Sequence, residues 1–242
     1  MCSVDGGASV NCPSTSLIPH GNGTHTECVG HALPGVVALG RDVPLPPPLL
    51  PALLLSVSPG PLGESGDDYA PGAPSDAVVS RALVVAALAR ACPAARTALA
   101  ACGLGAVILR TCPNPPDKAA RDWSNAGAAY LTPAAMLELR AAGCAHLVLD
   151  LPSVDREDDG GQLLAHRAFW GLPRRGDDAP AAEAGPAQSA LCPRTITELA
   201  YIPDAVPDGP YLLALHVAPI ELDAAPSRPL VLPARVRAEE AL

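Results

Sequence analysis

The hydrophobic positions of the chain predict several buried strands. Residues 49–57 form an apolar run that follows a proline-rich loop, and this run is typical of a buried strand. Further apolar runs predict strands at 104–109 and 146–150. Shorter β-like runs at 15–19 and 35–40 predict two more strands near the start of the chain.

Helical patterns lie between these strands. A run rich in Ala, Val and Leu predicts a helix over 76–102, with N-cap oxygens on Ser75 to Asp76 and a break or restart at Pro93. The pair Thr132–Pro133 predicts the start of another helix, which Gly143 ends. The middle of the chain is therefore expected to alternate strand, helix, strand, helix, strand.

The pattern changes after residue 150. Residues 153–163 are acidic and contain glycine, and 172–189 form a Pro-, Ala-, Gly- and Asp-rich segment that predicts a flexible loop. Strands are expected at 195–202, 210–219 and 230–236. Too little chain follows the loop to make a second domain, so residues 1–242 are predicted to form one domain of mixed α/β class.

Composition and charge exclude several functions. Sixteen Lys and Arg against twenty-five Asp and Glu give a net charge of −9, and a chain without a basic run is not expected to bind nucleic acid. The apolar stretches at 44–57 and 82–109 are interrupted by prolines or arginines, which argues against a membrane span. The eight cysteines form no C-x-x-C pair, and the first residues show no secretory signal. A cytoplasmic protein with reduced thiols is expected.

The candidate chemistry is concentrated in residues 20–31, which hold three of the six histidines and one glutamate. Side chains alternate between the two faces of an extended strand, so His25 and Glu27 are predicted to project to one side, and His31 shares their parity. Imidazoles and a carboxylate that converge are suited to a divalent ion such as Zn²⁺ or Mn²⁺. The spacing alone leaves a metal or catalytic site and a solvated polar loop equally open.

This segment also carries a family resemblance. Asn22-Gly-Thr-His-Thr-Glu27 followed by His31 resembles the G-T-H-x-[DE]-x-x-x-H signature of the metal-dependent cyclase family, which includes bacterial kynurenine formamidases and isatin hydrolases. Later segments resemble further family motifs in the same order. These segments are Asp150-Leu-Pro-Ser-Val-Asp155 with His166, Thr195-Ile-Thr-Glu198-Leu, Asp208-Gly-Pro-Tyr-Leu-Leu, and Asp223 to Leu230. The resemblance covers about residues 14–232.

The resemblance implies a swivelling β/β/α fold with a site for one or two ions of zinc or manganese. By position, His25 and Glu27 correspond to metal ligands, and Glu27 replaces a more usual aspartate and could bridge two ions. His166 and Glu198 would complete the shell of the second ion, and His31 corresponds to the catalytic histidine.

The resemblance also implies an activity and an assembly. The expected reaction is hydrolysis of an amide, either of an N-formyl aryl amide to an amine and formate, as in tryptophan catabolism, or of a cyclic amide by ring opening. A homodimer or homotetramer is expected.

The chain departs from the family pattern in two places. Family members carry a further ligand at the position of Gly21, which has no side chain. His20 lies one residue earlier and would point to the opposite face of a regular strand unless a bulge at Gly21 turns it back. The alternatives are that His20 serves through a bulge, that Cys28 or water replaces the ligand, or that only one ion binds. Relatives also have an additional N-terminal segment, so either the start is misassigned or an edge strand is missing.

These departures keep two further hypotheses open, an inactive metal-binding homologue and a structural protein with a degenerate site. Trp123 and Trp170 are interpreted either as the wall of an aromatic pocket or as packing anchors. His146 and His216 lie in apolar strand patterns and are interpreted as core or edge histidines.

Overall fold

The computed structural model describes residues 2–21, 23–102, 105–177 and 192–234, with the backbone alone for 98–102. The predicted loop at 172–189 therefore lies outside the described residues from residue 178 onward. The end of the last predicted strand, beyond residue 234, also lies outside them.

Strands and helices alternate along most of the described chain. The strands are β1 (His25–Glu27), β2 (Leu50–Val57), β3 (Gly60–Pro61), β4 (Ala77–Val79), β5 (Gly105–Thr111), β6 (Tyr130–Leu131), β7 (Cys144–Leu149), β8 (Thr195–Glu198), β9 (Gly209–Val217) and β10 (Ala224–Pro233). The helices are α1 (Leu62–Ser65), α2 (Arg81–Arg90), α3 (Pro93–Cys102), α4 (Pro133–Ala141) and α5 (Leu164–Trp170). Short 3-10 turns occur at Pro19–Gly21, Val29–Ala32 and Pro116–Ala120.

Seven of the described strands close into a barrel in the order β1, β10, β9, β2, β5, β7, β8. Strands β2, β5, β7 and β8 are parallel to one another, and the remaining neighbours pair antiparallel. Strand β1 closes the barrel between β8 and β10, which sets His25 opposite Glu198 and Glu27 opposite Ala224. The predicted mixed α/β class is confirmed.

The central strands are buried on both faces, which explains their continuous apolar sequences. In β2, Leu50 and Leu54 belong to a core shared with the facing strands, while Leu53 and Leu55 belong to a core shared with the helices. The same division separates Ile108 of β5 from its neighbours in sequence. The barrel is therefore a packed scaffold that holds the ends of its strands in fixed positions.

A second sheet of three short strands, in the order β3, β4, β6, lies beside the barrel. Its core joins Leu62, Tyr69, Val78 and Tyr130 to Leu164 at the start of α5. This contact connects the small sheet to the helix that carries His166. Within the described residues, no helix is both long and apolar enough to cross a membrane.

The helix predicted over 76–102 is wrong at its start. Residues 77–79 form β4, which pairs with β6, and Ser80 caps α2 by accepting a hydrogen bond from the Leu83 amide at 3.4 Å. The carboxylate of Asp76 cannot serve as the cap because it accepts bonds from Ala73, Tyr130 and Arg156 instead. The predicted restart at Pro93 is confirmed.

The strands predicted at 15–19 and 35–40 are also wrong. Apart from an isolated bridge between Leu39 and Val43, neither segment pairs with a strand in the described structure. Ile18 is 67% exposed, whereas Val37 and Leu39 are buried in the main core without belonging to a strand, so the apolar character of 35–40 reflects packing of a loop against the core.

Candidate metal centre

A cavity of about 750 Å³ opens where β1 meets β8. Four of the candidate site residues contribute to its wall, and they are His20, His31, His166 and Glu198. His25 and Glu27 lie next to this group with fully buried side chains. The structure thus brings together all six residues that the sequence predicted for the site.

Strand β1 positions two of these side chains directly. His25 and Glu27 project to the same side of the strand, as their spacing predicted, and their ligand atoms belong to one cluster. The register with β8 places the His25 Nε2 atom 3.5 Å from the Glu198 carboxylate. The Val154 amide donates a hydrogen bond to Glu198 at 2.8 Å, which fixes this carboxylate within the cluster.

Helix α5 brings His166 to the same point from the other side. Its Nε2 atom lies 2.8 Å from one oxygen of Glu27 and 3.6 Å from Glu198. The ring is 2% exposed and packs 5.2 Å from the ring of Trp170, measured between centroids. His166 therefore faces two carboxylates inside the protein, and Trp170 acts as a packing residue behind it.

His20 reaches the cluster by a route that the sequence did not predict. The 3-10 turn Pro19–Gly21, rather than a bulge in a strand, turns the ring so that its Nδ1 atom lies 3.3 Å from Glu27. Its Nε2 atom lies 2.9 Å from Asp223. His20 therefore lies beside Glu27 although its neighbour Gly21 has no side chain to contribute.

His31 also arrives through a 3-10 turn. Strand β1 ends at Glu27, and the turn Val29–Ala32 carries His31, so the parity argument fails for this residue. Its ring centroid lies 4.1 Å from that of His20 and 5.4 Å from that of His166. Gly30 permits this turn, because an added Cβ would collide with the carbonyl oxygen of Val37.

Asp223 is a site residue that the sequence reasoning missed. It precedes β10, and its carboxylate lies 2.9 Å from His20 and 3.4 Å from His31. Hydrogen bonds with these two rings hold the pKa of Asp223 well below its usual range, although burial acts in the opposite direction. A single aspartate before a strand gives no local signal, and the β1–β10 pairing brings it to the site.

Three imidazoles share one arrangement, in which one ring nitrogen bonds an oxygen of another residue and the other nitrogen points towards Glu27 or Glu198. The outer contacts are His25 Nδ1 to Gly23 O at 3.0 Å, His166 Nδ1 to Asp155 at 2.6 Å, and His20 Nε2 to Asp223 at 2.9 Å. A carbonyl or carboxylate oxygen can only accept, so each outer nitrogen donates. In the neutral imidazole, the inward nitrogen then carries a free lone pair, as metal-binding histidines require.

The donor set fits a divalent cation. The His25 Nε2 and Glu27 Oε2 atoms are buried without a hydrogen-bond partner in the described part of the chain. The ligand atoms of His20, His25 and Glu27 lie within 4.8 Å of one another, as do those of Glu27, His31 and His166. Imidazole nitrogens with carboxylate oxygens are ligands that zinc and manganese accept.

The electrostatics of the cluster favour positive charge at its centre. Burial opposes ionisation of Glu27, but the neighbouring His166 and His20 hold the pKa of its carboxyl well below the usual range. Burial likewise opposes protonation of His20, while Asp223 and Glu27 raise its pKa to about 10. Because the carboxylates attract protons onto the imidazoles, the same carboxylates would attract a metal cation in their place.

Cys28 does not belong to the site, which corrects its suggested role as a ligand. Its thiol is buried in the hydrophobic core and contacts the Val37 carbonyl oxygen at 3.9 Å. Burial raises the pKa of the thiol to about 12. A protonated thiol on the opposite face of the chain from Glu27 cannot compete for an ion there.

A second charged cluster lies on the cavity wall. Lys118, the only lysine of the chain, donates hydrogen bonds to the Thr111 carbonyl at 2.8 Å, the Thr111 hydroxyl at 2.6 Å and Asp150 at 2.7 Å. Asp150 also accepts hydrogen bonds from the amide and the hydroxyl of Thr111.

An aromatic side chain also lines the cavity. This is Trp123, and the Arg121 guanidinium lies 5.1 Å from the centre of its ring.

Comparison with known proteins places this site in a family context. A family model described as "Putative cyclase" matches residues 9–156, which include His20, His25, Glu27 and His31. No curated protein sequence matches the chain significantly.

Solved structures share the fold at low sequence identity. A structure described as a potential metal-dependent hydrolase with cyclase activity is 16% identical, covers 89% of this chain and 80% of its own, and has a TM-score of 0.56. A structure described as a predicted metal-dependent hydrolase from Bacillus stearothermophilus is 15% identical, covers 89% and 78%, and has a TM-score of 0.50.

Proposed function

This chain belongs to the cyclase family, and on that basis we propose that it is a metal-dependent hydrolase that cleaves the carbon–nitrogen bond of an amide. One observation carries the proposal. The inward nitrogens of three imidazoles converge on Glu27 and Glu198, while their outer nitrogens are held by oxygen acceptors. This arrangement presents free lone pairs and negative charge to one buried point, which is what binding of a divalent metal ion needs.

The residues divide between two adjacent positions. His20, His25 and Glu27 would hold one ion of zinc or manganese. Glu27 would also contribute to a second position together with His166 and Glu198. When bound, such an ion makes water acidic enough to supply hydroxide near neutral pH and polarises a carbonyl group.

His31 is suited to move protons because its side chain is 28% exposed and faces the cavity, whereas those of His25, Glu27 and His166 are buried. In the proposed reaction, its imidazole accepts a proton from water while the water oxygen forms a bond to the amide carbonyl carbon. The carbon–nitrogen bond then breaks, and His31 returns the proton to the leaving nitrogen. Asp223, 3.4 Å from the His31 Nδ1 atom, orients the ring for both transfers.

The substrate class follows from the family resemblance and from the cavity. We propose an N-formyl aryl amide such as N-formylkynurenine, which gives an amine and formate, or a cyclic aryl amide that opens on hydrolysis. A volume of about 750 Å³ accommodates a molecule of that size, and Trp123 offers an aromatic surface for its ring. The homodimer or homotetramer implied by the resemblance stays a prediction.

The test is a hydrolysis assay on chain loaded with zinc or manganese, with N-formylkynurenine and isatin as substrates. We expect turnover of at least one substrate, and a loss of about 100- to 10,000-fold in His31→Gln with metal content unchanged. If the loaded chain binds metal but hydrolyses neither of these substrates, nor any of a panel of further formamides, cyclic amides and lactones, the alternative of an inactive metal-binding homologue replaces the proposal.

A further inference from the structure

Asp155, the last residue of the motif at 150–155, lies directly behind His166. Its side chain is 2% exposed, and each of its two oxygens has two hydrogen-bond partners. The Tyr69 hydroxyl and the Ala165 amide each donate to Oδ1 at 2.7 Å, the His166 amide donates to Oδ2 at 3.0 Å, and the His166 Nδ1 atom lies 2.6 Å from Oδ2. Three donors on its two oxygens stabilise the ionised carboxylate, which can only accept a further hydrogen bond.

We infer that Asp155, held in place by the Tyr69 hydroxyl, is a positioning residue that fixes the tautomer of His166. Because Asp155 only accepts, the His166 Nδ1 atom must donate, and the Nε2 atom that faces Glu27 is kept free for a metal ion. The inference rests on the proposed function, since it assigns Asp155 and Tyr69 to the same metal centre.

Tyr69 extends this arrangement to the small sheet. The residue lies between α1 and β4, is 2% exposed and packs against Tyr130 with 4.5 Å between ring centroids. Its hydroxyl accepts a hydrogen bond from the Arg156 amide at 3.2 Å, so its own proton is directed to Asp155. Burial and the charge of Asp155 raise the pKa of the phenol, which therefore stays a donor.

The variant Asp155→Asn replaces the carboxylate by an amide of the same shape, so it tests whether the acceptor-only character of the side chain is needed. In either orientation, the amide NH₂ of asparagine meets two of the four donors. Where it faces His166, the imidazole has to accept at Nδ1, and its proton moves to Nε2, the atom that would bind the ion. We expect zinc to bind about 10- to 100-fold more weakly, as for other partners behind metal-binding histidines.

The matched pair Tyr69→Phe and Tyr130→Phe tests the hydroxyl without changing the packing of the rings. Tyr69→Phe removes one donor from Asp155 and is expected to weaken zinc binding by about fivefold, the equivalent of one hydrogen bond. Tyr130→Phe removes a hydroxyl that bonds Asp76 instead, and zinc affinity is expected to stay unchanged.

The experiment measures zinc affinity by calorimetric titration of the full chain after chelation, for wild type and the three variants. ¹⁵N NMR of the zinc-loaded wild type, assigned by comparison with His166→Gln, should show a protonated Nδ1 and a metal-bound Nε2 in His166. Equal affinities in wild type, Asp155→Asn and Tyr69→Phe would overturn the inference while wild-type zinc binding upholds the proposed function. Equal losses in the two tyrosine variants would also overturn it, and a wild type that binds no zinc would overturn both.

Discussion

Two buried charged clusters share one cavity, and they differ in how completely their polar atoms are paired. Around Lys118, the ammonium group donates three hydrogen bonds, two to oxygens of Thr111 and one to Asp150. Asp150 also accepts hydrogen bonds from the amide and the hydroxyl of Thr111. Around Glu27, by contrast, the His25 Nε2 and Glu27 Oε2 atoms have no hydrogen-bond partner among the described residues. The first cluster is complete as folded, whereas the second presents ligand atoms to a cation.

This comparison shows that several ligand atoms directed at one point identify a metal site better than burial, or a single unpaired atom, does. His146 also has a buried Nε2 atom without a partner in the described structure, but its other contact is the Thr195 hydroxyl at 2.9 Å. Burial lowers the pKa of His146 to about 4, whereas the carboxylates raise the pKa of His166 well above its ordinary value. Lone-pair nitrogens together with carboxylates therefore point to a metal ion, and an isolated histidine does not.

The largest effect is predicted for a variant that disrupts the incompletely paired cluster around Glu27. Glu27→Gln removes the carboxylate shared by both positions, so we expect metal binding to weaken strongly and hydrolysis to fall by at least about 1,000-fold. Glu157→Gln is the control, because Glu157 lines the same cavity and bonds the Asn125 amide outside the cluster. Undiminished activity with full metal content in Glu27→Gln would remove the residue from the centre.

Breaking the complete cluster should affect stability and leave metal binding intact. Lys118→Met leaves the Asp150 carboxylate buried without its counterion, which is expected to cost about 3–5 kcal/mol in the free energy of unfolding. Urea denaturation measures this cost, and Arg121→Met, which loses an exposed pair with Asp117, should cost less than about 1 kcal/mol. Equal costs in the two variants would contradict the structural role of Lys118.

Zinc should stabilise the folded chain by binding at the Glu27 cluster and not at the Lys118 cluster. At a free concentration 100 times the dissociation constant, zinc binding is expected to add about 2.7 kcal/mol to the free energy of unfolding. The increase should persist in Lys118→Met and disappear in Glu27→Gln. Thermal unfolding with and without zinc measures it, and an equal gain in Glu27→Gln would place the bound ion elsewhere.

The smallest predicted effect concerns the isolated histidine. Since the pKa of His146 is about 4 in the folded chain and 6.5 in the unfolded chain, the unfolded state takes up a proton first as pH falls. Its contribution is absent above about pH 6.5, and by pH 5 the folded state should lose about 2 kcal/mol. Between pH 7 and 5, the free energy of unfolding should fall by about 2 kcal/mol more in wild type than in His146→Gln, and parallel pH profiles of the two would contradict the assignment.

The sequence predicted those features of the site and of the barrel that depend on regular secondary structure. The spacing of His25 and Glu27 placed both on one face because β1 is a strand, and the apolar runs located β2, β5 and β7. Burial on both faces makes such strands visible in the sequence as continuous apolar segments.

The remaining parts depend on contacts between distant segments. His20 and His31 reach the cluster through 3-10 turns, whose short length leaves no periodic pattern. Asp223 is brought to the site by the pairing of β1 with β10, and Asp155 by its bonds to the first turn of α5. The density of histidines in residues 20–31 marked His20 and His31 as candidates, but the contacts of all four residues depend on neighbours far away in sequence.

The most direct test of the central claim is the metal content of chain purified without a metal-binding tag, measured by inductively coupled plasma mass spectrometry. The account predicts one or two equivalents of zinc or manganese per chain in the wild type and a large reduction in Glu27→Gln. A wild-type chain that contains no metal, even after reconstitution with zinc and manganese, would contradict it.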